Sequence, residues 1–522
     1  MSGNGHSKTA TLRIERFNPD VDENPAFEEL QVELVPGKTI LDALLEIKEE
    51  QDGSLTFRRS CRHGICGSCT MNINGTNMLA CESALTDHVD GDGLVTIRPL
   101  SYVPVIKDLV TDRSSFWEQY QRIKPWLIPP EDLPEKEIRI SPEEVNSLNN
   151  AERCINCGAC YSACPVISID KGFVGPHAML KAFLRVSDSR DSAHNEHMAD
   201  IATIWDCTTC YTCVEQCPKE LEPGQVAKTL RSQLVEEGKV PRTLGVALTS
   251  TFRNKNPFEM QHADRLAWAE GLPLMDGLAE PVDALYLVCC LACYDPRAQK
   301  IAQAMVTAMD AAGIKLGTLG SEEVCCGSEM QRVGEMGLFE MMVEELTESL
   351  NKPQTQQIVT ASPHCFDVYS NHYPDINGST EHYTQYVARL IADGQLTFKG
   401  EIDKRVTYHD PCYLGIQNNI FDEPRSILES IPGVELVEME RSRKQSLCCG
   451  GGGGRMWFEG HASGAHLSHE RVREAVSTGA QILATACPFC LNMLDDAVKT
   501  LSLEDQIEVK DIMELVVEAI EP

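Results

Sequence analysis

Cysteine is the residue type around which this sequence is organised, at 23 of 522 positions. Cys61, Cys66 and Cys69 form C-x4-C-x2-C, and Cys81 follows twelve residues later, the plant-type ferredoxin spacing for a [2Fe–2S] cluster. Gly64, Gly67 and Ser68 are small enough for the backbone to wrap around sulfide and turn N–H groups towards it. Zinc is the competing metal, but its sites favour paired C-x2-C arms without the x4 arm. Cys154, Cys157, Cys160 and Cys164, before Pro165, spell C-x2-C-x2-C-x3-C-P, and Cys207, Cys210, Cys213 and Cys217, before Pro218, spell it again. In two-cluster ferredoxins the fourth cysteine of each run ligates the other cluster. One cubane [4Fe–4S] is therefore assigned to Cys154, Cys157, Cys160 and Cys217, and a second to Cys164, Cys207, Cys210 and Cys213.

The C-terminal half carries a repeat. Cys290, Cys325–Cys326 and Cys365 recur as Cys412, Cys448–Cys449 and Cys490, with intervals of 34 and 38 residues in the first copy and 35 and 40 in the second. The second copy adds Cys487, which completes C-x2-C with Cys490, and the run Gly450–Gly454, which permits close backbone approach to a bulky anion. A structural zinc site is the alternative for this set. The first copy has Ser362 where the second has Cys487, and it carries Cys289 and Cys293 on either side of Cys290. Either thiol could replace the missing one; otherwise the site is degenerate and both are ordinary buried cysteines. Arg441, Arg443, Lys444 and Arg455 flank the second copy's glycine run. They read as an anion-binding collar or as solvated surface charge.

Elements must position these ligands. Residues 1–105 read as short strands and turns, with alternation in TLRIERF and LQVELV and a helix over TILDALLEIKEE. Residues 106–240 read as helical, 241–280 as a linker, and 281–400 and 401–522 as two copies of a small α/β domain. The fold class expected is multidomain α+β. The formal charge of −32 speaks against nucleic acid or an anionic membrane as partner. Apolar stretches such as 284–294 are about half the roughly 20 residues that a bilayer requires, so no integral membrane segment is expected. The first residues, MSGNGHSKTATLRIERF, lack the apolar core of an export signal. With so many thiols this implies a reducing compartment, cytoplasmic or peripheral to a membrane, in which cysteines bind metal.

RFNPD, SCRHGICGSC, NGTNMLAC, FWEQYQRIKPWL and CVEQCPKEL resemble the iron–sulfur subunit of the succinate dehydrogenase and fumarate reductase family over about residues 10–235. The resemblance implies a β-grasp [2Fe–2S] domain, an all-helical two-cluster domain, and a flavoprotein partner that holds FAD and performs the succinate/fumarate chemistry. This chain departs from quinone-reactive members in three ways. Cys210 is present where they lack a cysteine and hold [3Fe–4S], Val166–Ile169 follows Pro165 where they often have Trp, and Thr208 stands where they often have His. HDPCYLG, the Cys448–Cys449–Gly450–Gly454 run and CPFC resemble the C-C-G domains of heterodisulfide reductase. That resemblance implies a noncubane [4Fe–4S] cluster on Cys412, Cys448, Cys449, Cys487 and Cys490 that reacts with a small thiol or disulfide. Cys290, Cys325, Cys326 and Cys365 are candidate ligands of a further such cluster, weakened by Ser362. The expected function is electron transfer from thiols (coenzyme M and coenzyme B) at the second copy, through the clusters, to a fumarate-reducing flavoprotein. The alternatives are a menaquinone-linked module and an adaptor with no substrate of its own.

Overall fold

The computed structural model describes residues 9–353, 355–374, 376–460 and 466–520. Residues 1–8, part of the stretch that reads as lacking an export signal, lie outside these. The chain divides into two compact units, residues 1–204 with 211–227, and residues 205–210 with 228–522.

The first unit begins with a five-stranded sheet: β1 (Thr9–Arg16), β2 (Ala26–Glu33), β3 (Thr70–Ile73), β4 (Thr76–Leu79) and β5 (Leu94–Arg98), in the order β2-β1-β5-β3-β4. β1 pairs parallel to β5, and the other pairs are antiparallel. The alternation in β1 has a direct outcome: Ala10, Leu12 and Ile14 are buried under the helix Ile40–Glu46 and its neighbours in one core. That helix starts in a capping box in which Thr39 accepts from the Asp42 N–H and Asp42 accepts from the Thr39 N–H. A small hairpin, β6 (Val105–Lys107) and β7 (Val110–Thr111), leads into short helices that include Ala159–Ala163, Pro165–Ile169 and Gly175–Val186. The expected β-grasp and all-helical ferredoxin parts are both present. Asn77 of β4 ties them together. Its amide donates to the Ala159 carbonyl (3.0 Å) and to Ser162 Oγ (2.9 Å), and its N–H donates to Gln216 Oε1 (2.6 Å).

The second unit holds two parallel sheets. The first, in the order β12-β11-β9-β10-β8, is built from β8 (Met275–Asp276), β9 (Ala284–Leu287), β10 (Leu316–Thr318), β11 (Gln357–Thr360) and β12 (Ser379–His382). The second, in the order β14-β13-β15-β16, is built from β13 (Lys404–His409), β14 (Val434–Leu436), β15 (Ile482–Thr485) and β16 (Glu508–Asp511). β9 to β12 correspond in order and neighbours to β13 to β16, so the cysteine repeat is also a repeat of topology. Residues 241–280, expected as a linker, carry the helix Arg242–Asn254, a 3-10 segment His262–Ala269 and the edge strand β8. The two copies share one buried core that runs from Trp268 to Ala519. Among the described residues no helix is long and apolar enough to cross a membrane.

Asp511, at the end of β16, lies in that shared core. Burial pushes its carboxyl up to about 7, against hydrogen bonds donated by the Met513 N–H and the Tyr383 hydroxyl (2.8 Å). A carboxyl raised in the folded state binds its proton more tightly there than in the unfolded chain. Its contribution to stability is therefore present at low pH and is lost as pH rises through the window from about 4 to about 7. The slope is at most about 1.4 kcal/mol per pH unit. Asp511→Asn should flatten the fall in urea midpoint across this window; an unchanged slope would show that Asp511 does not titrate there.

Candidate metal centres

The loop over Cys61–Cys69 has the backbone of an anion cradle. Arg62, Gly64 and Gly67 take left-handed φ of 63°, 71° and 66°. N–H groups consequently face sulfur: Gly64 donates to Cys81 Sγ (3.2 Å), and Ile65 and Cys66 donate to Cys61 Sγ (3.4 and 3.3 Å). Donation from the His63, Ile65 and Cys66 N–H groups lowers the Cys61 thiol to about 6, while burial raises Cys69 to about 12. A thiolate set held by backbone donors suits an anionic iron–sulfur cluster. A Cβ added to Gly67 would lie 2.7 Å from Cys157 Cα. The [2Fe–2S] loop and the first cubane motif therefore touch through backbone.

Thiols from both runs come together in the first unit. Cys217, last of the second run, is an electrostatic neighbour of Cys154, Cys157 and Cys160. Burial raises these three thiols, Cys157 to about 11, the cost that ligation by a cationic metal removes. The two runs share their backbone. Asn156 and Gly158 (φ 52° and 84°) occupy the same motif positions as Thr209 and Tyr211 (φ 50° and 64°). For a β-branched residue such as Thr209 this costs roughly 1–3 kcal/mol, and the contacts around it must hold it. Cys207 and Cys210 lie in the second unit; Cys164 and Cys213 lie in the first.

In the second unit the loop over residues 205–210 is clamped to the second C-C-G copy. Arg231, fully buried, donates to the carbonyls of Trp205 (3.1 Å), Cys207 (2.6 Å), Arg332 (3.2 Å) and Gly453 (3.2 Å). Thr208 Oγ1 accepts from Cys448 Sγ at 3.5 Å, and Thr209 Oγ1 meets the Tyr413 hydroxyl. The glycine run is what lets the two segments approach. A Cβ on Gly452 would fall 2.7 Å from the Thr208 carbonyl oxygen, and one on Gly453 would fall 2.6 Å from that of Cys207. These two glycines thus face the loop that bears Cys207 and Cys210, a use the run's sequence did not reveal.

The second copy's five thiols lie in mutual contact, Cys412 with Cys448, Cys448 with Cys449, Cys449 with Cys490 (3.3 Å), and Cys490 with Cys487. Hydrogen bonds from Cys448 and Cys490 hold the Cys449 thiol well below its usual range. The first copy repeats this at Cys326, lowered to about 6 by Cys325 and Cys365. A ring nitrogen of His409 also lies within 4.8 Å of the Cys449 and Cys490 sulfurs. His409 Nδ1 accepts from Arg471 Nε (3.1 Å), while its buried Nε2 has no hydrogen-bond partner in the structure. Five soft donors and one orphaned ring nitrogen suit iron with sulfide.

Three of the four cations that read as a collar or as surface charge form ion pairs. Arg441 pairs with Glu474 (3.1 Å), Arg443 with Asp422 (2.7 Å) and Arg455 with Asp206 (3.1 Å); Lys444 lies beside Arg443 in a short 3-10 turn. A cavity instead lies against the first copy's thiols. Cys289, Cys290, Cys325, Cys326 and Cys365 line it together with Glu329, His364, Trp457 and Phe489. His364 stacks on Phe489, with ring centroids 4.3 Å apart, and pairs with Glu329 at 2.7 Å. Arg231, His409, Glu329 and His364 were not singled out from sequence; only the HDPC stretch around His409 carried a signal.

Comparison with known proteins agrees with this architecture. Residues 11–118 match the 2Fe-2S iron-sulfur cluster binding domain, 150–221 the 4Fe-4S dicluster domain, and 284–367 and 406–495 the cysteine-rich domain. The chain is 31% identical to a fumarate reductase (CoM/CoB) subunit of Methanothermobacter marburgensis, over 97% of this chain and 98% of that one. It is 31% identical to a dihydromethanophenazine:CoB–CoM heterodisulfide reductase subunit of Methanosarcina barkeri, over 72% of this chain and 95% of that one. The succinate dehydrogenase iron-sulfur subunit of Coxiella burnetii is 39% identical over 44% of this chain and 97% of its own. Against two other curated relatives the chain spans about half of their length, 46% and 59%. A hypothetical protein from Helicobacter pylori shares the fold, at 12% identity and a TM-score of 0.62 over 100% of this chain and 96% of that one.

Proposed function

Because the chain belongs to the family of that fumarate reductase (CoM/CoB) subunit, iron–sulfur electron-transfer subunits of oxidoreductases, we propose that it serves a thiol-linked fumarate reductase. The near end-to-end alignment with that relative carries the reading. Two thiols, of the coenzyme M and coenzyme B class, join as a disulfide and release two protons and two electrons. Fumarate takes up two electrons and two protons to become succinate on a flavoprotein partner, which alone holds FAD. The clusters supply one-electron chemistry when bound: a [2Fe–2S] on Cys61, Cys66, Cys69 and Cys81, two cubanes on the eight cysteines of the paired runs, and a noncubane cluster on Cys412, Cys448, Cys449, Cys487 and Cys490. The chain's other residues hold these sites together. Arg231, Thr208 and Gly452–Gly453 keep the second copy against the loop of Cys207 and Cys210. His364 and Glu329, paired at 2.7 Å, line the cavity beside the first copy's thiols.

The test is fumarate reduction by the chain co-purified with its flavoprotein, with coenzyme thiols, a menaquinol analogue or a reduced dye as donor. Turnover with thiols and dye is expected. Turnover with menaquinol and dye, and none with thiols, would replace this reading with a quinone-linked one.

A further inference from the structure

At one facing pair of positions the two C-C-G copies carry their thiol on different strands. In the first copy, β9 and β11 run parallel with Leu287 opposite Thr360; two residues on, Cys289 comes beside Ser362. In the second, β13 and β15 run parallel with His409 opposite Thr485, and the same step brings Pro411 beside Cys487. One copy therefore has Cys and Ser where the other has Pro and Cys. The thiol has changed strand without leaving its place.

The contacts agree with the register. The Cys289 thiol is hydrogen-bonded to Cys365 and Ser362. The first copy's thiols touch in the sequence Cys290, Cys325, Cys326, Cys365, Cys289, with Cys326 and Cys365 3.3 Å apart. The second copy's touch in the sequence Cys412, Cys448, Cys449, Cys490, Cys487, with the same 3.3 Å between Cys449 and Cys490. Cys289 closes the first series where Cys487 closes the second. The backbone allows the exchange, because Cys289 has φ −53°, within the range that proline enforces. Ser362, which is not needed as a ligand, caps the helix Pro363–Asn371 by accepting from the Cys365 N–H (3.5 Å). Cys487 makes no such side-chain cap on the helix Pro488–Thr500. Cys293 turns its thiol to the Val288 carbonyl, at 3.7 Å.

We propose that the first copy holds a complete five-thiolate iron–sulfur site, formed by Cys289, Cys290, Cys325, Cys326 and Cys365, with Cys289 in the ligand position that Cys487 fills in the second copy. The Ser362 substitution then leaves no deficit, and Cys293 is a core residue. The inference rests on the proposed cluster content of the C-C-G pair and not on the identity of its electron donor.

Iron and acid-labile sulfide per full-length chain, with Mössbauer spectra of anaerobically prepared protein, test it. Cys289→Ala should lose about four irons and four sulfides, the content of one [4Fe–4S], and Cys293→Ala should lose none. Cys289→Ala combined with Ser362→Cys should recover them, since the second change returns a thiol to the same place from the neighbouring strand. Native iron content in Cys289→Ala, or no recovery in the double variant, would overturn the assignment. Should iron follow the expected pattern while the native chain shows no thiol-linked turnover, the site stands and the proposed donor falls.

Discussion

Cys487→Ala is expected to abolish thiol-linked fumarate reduction while dye-linked reduction through the N-terminal clusters persists. Cys487 is fully buried, contacts Cys490, and begins the helix Pro488–Thr500 that carries Cys490 on its first turn. Its removal takes one donor from the set that lies against the loop of Cys207 and Cys210. That contact is made by Cys448 on Thr208 and held by Arg231 on the Cys207 and Gly453 carbonyls. Loss of a group that merely supports a metal ligand already costs about 10–100-fold, so loss of a ligand should exceed about 100-fold. The thiols proposed for the [2Fe–2S], and Cys154, Cys157, Cys160 and Cys217 proposed for the first cubane, do not belong to this set. Rates with thiol and with reduced dye, measured on one preparation, read both expectations. Retention of thiol-linked turnover in Cys487→Ala would show that the second copy is not an obligatory station.

The division between what was readable in the sequence and what was not follows the reach of the interactions. The cysteine motifs were legible because thiols that one loop gathers need fixed spacings along the chain, as in Cys154, Cys157 and Cys160. The repeat was legible because two copies of one topology put cysteines at the ends of equivalent strands. The alternation of β1 was legible because one face is buried and a strand has a period of two. Arg231 was not, since its four carbonyl partners come from residues up to 222 positions away. The ion pairs of the cations near the second copy were not, for a related reason. Glu474, Asp422 and Asp206, which pair with them, are near in space and distant in sequence. Residues 241–280 read as a linker because β8 is two residues long and the helix Arg242–Asn254 carries a mixed pattern. The place of Cys289 depended on strand register, which a lone sequence leaves open.

Cys210→Ala is expected to convert a four-iron centre into a three-iron one, with a strong oxidised [3Fe–4S] resonance in electron paramagnetic spectra at about one spin per chain. Cys210 is the second cysteine of its run, the position that the resemblance to quinone-reactive iron–sulfur subunits marks as absent where [3Fe–4S] is found. Alanine at this position should remove a ligand without releasing the loop. The carbonyls of Trp205 and Cys207 stay on Arg231, Thr208 stays on Cys448, and Thr209 stays on Tyr413 and Gln417. Residues on both sides of position 210 keep their left-handed backbone at Thr209 and Tyr211, so the remaining thiolates are not rearranged to supply a fourth. The native chain, prepared without oxygen, should lack this resonance, and iron content should fall by about one atom in the variant. A three-iron signal at full stoichiometry in the native chain would sink the assignment of Cys210 as a ligand. It would also reopen the quinone-linked alternative, which the cysteine at this position otherwise counts against.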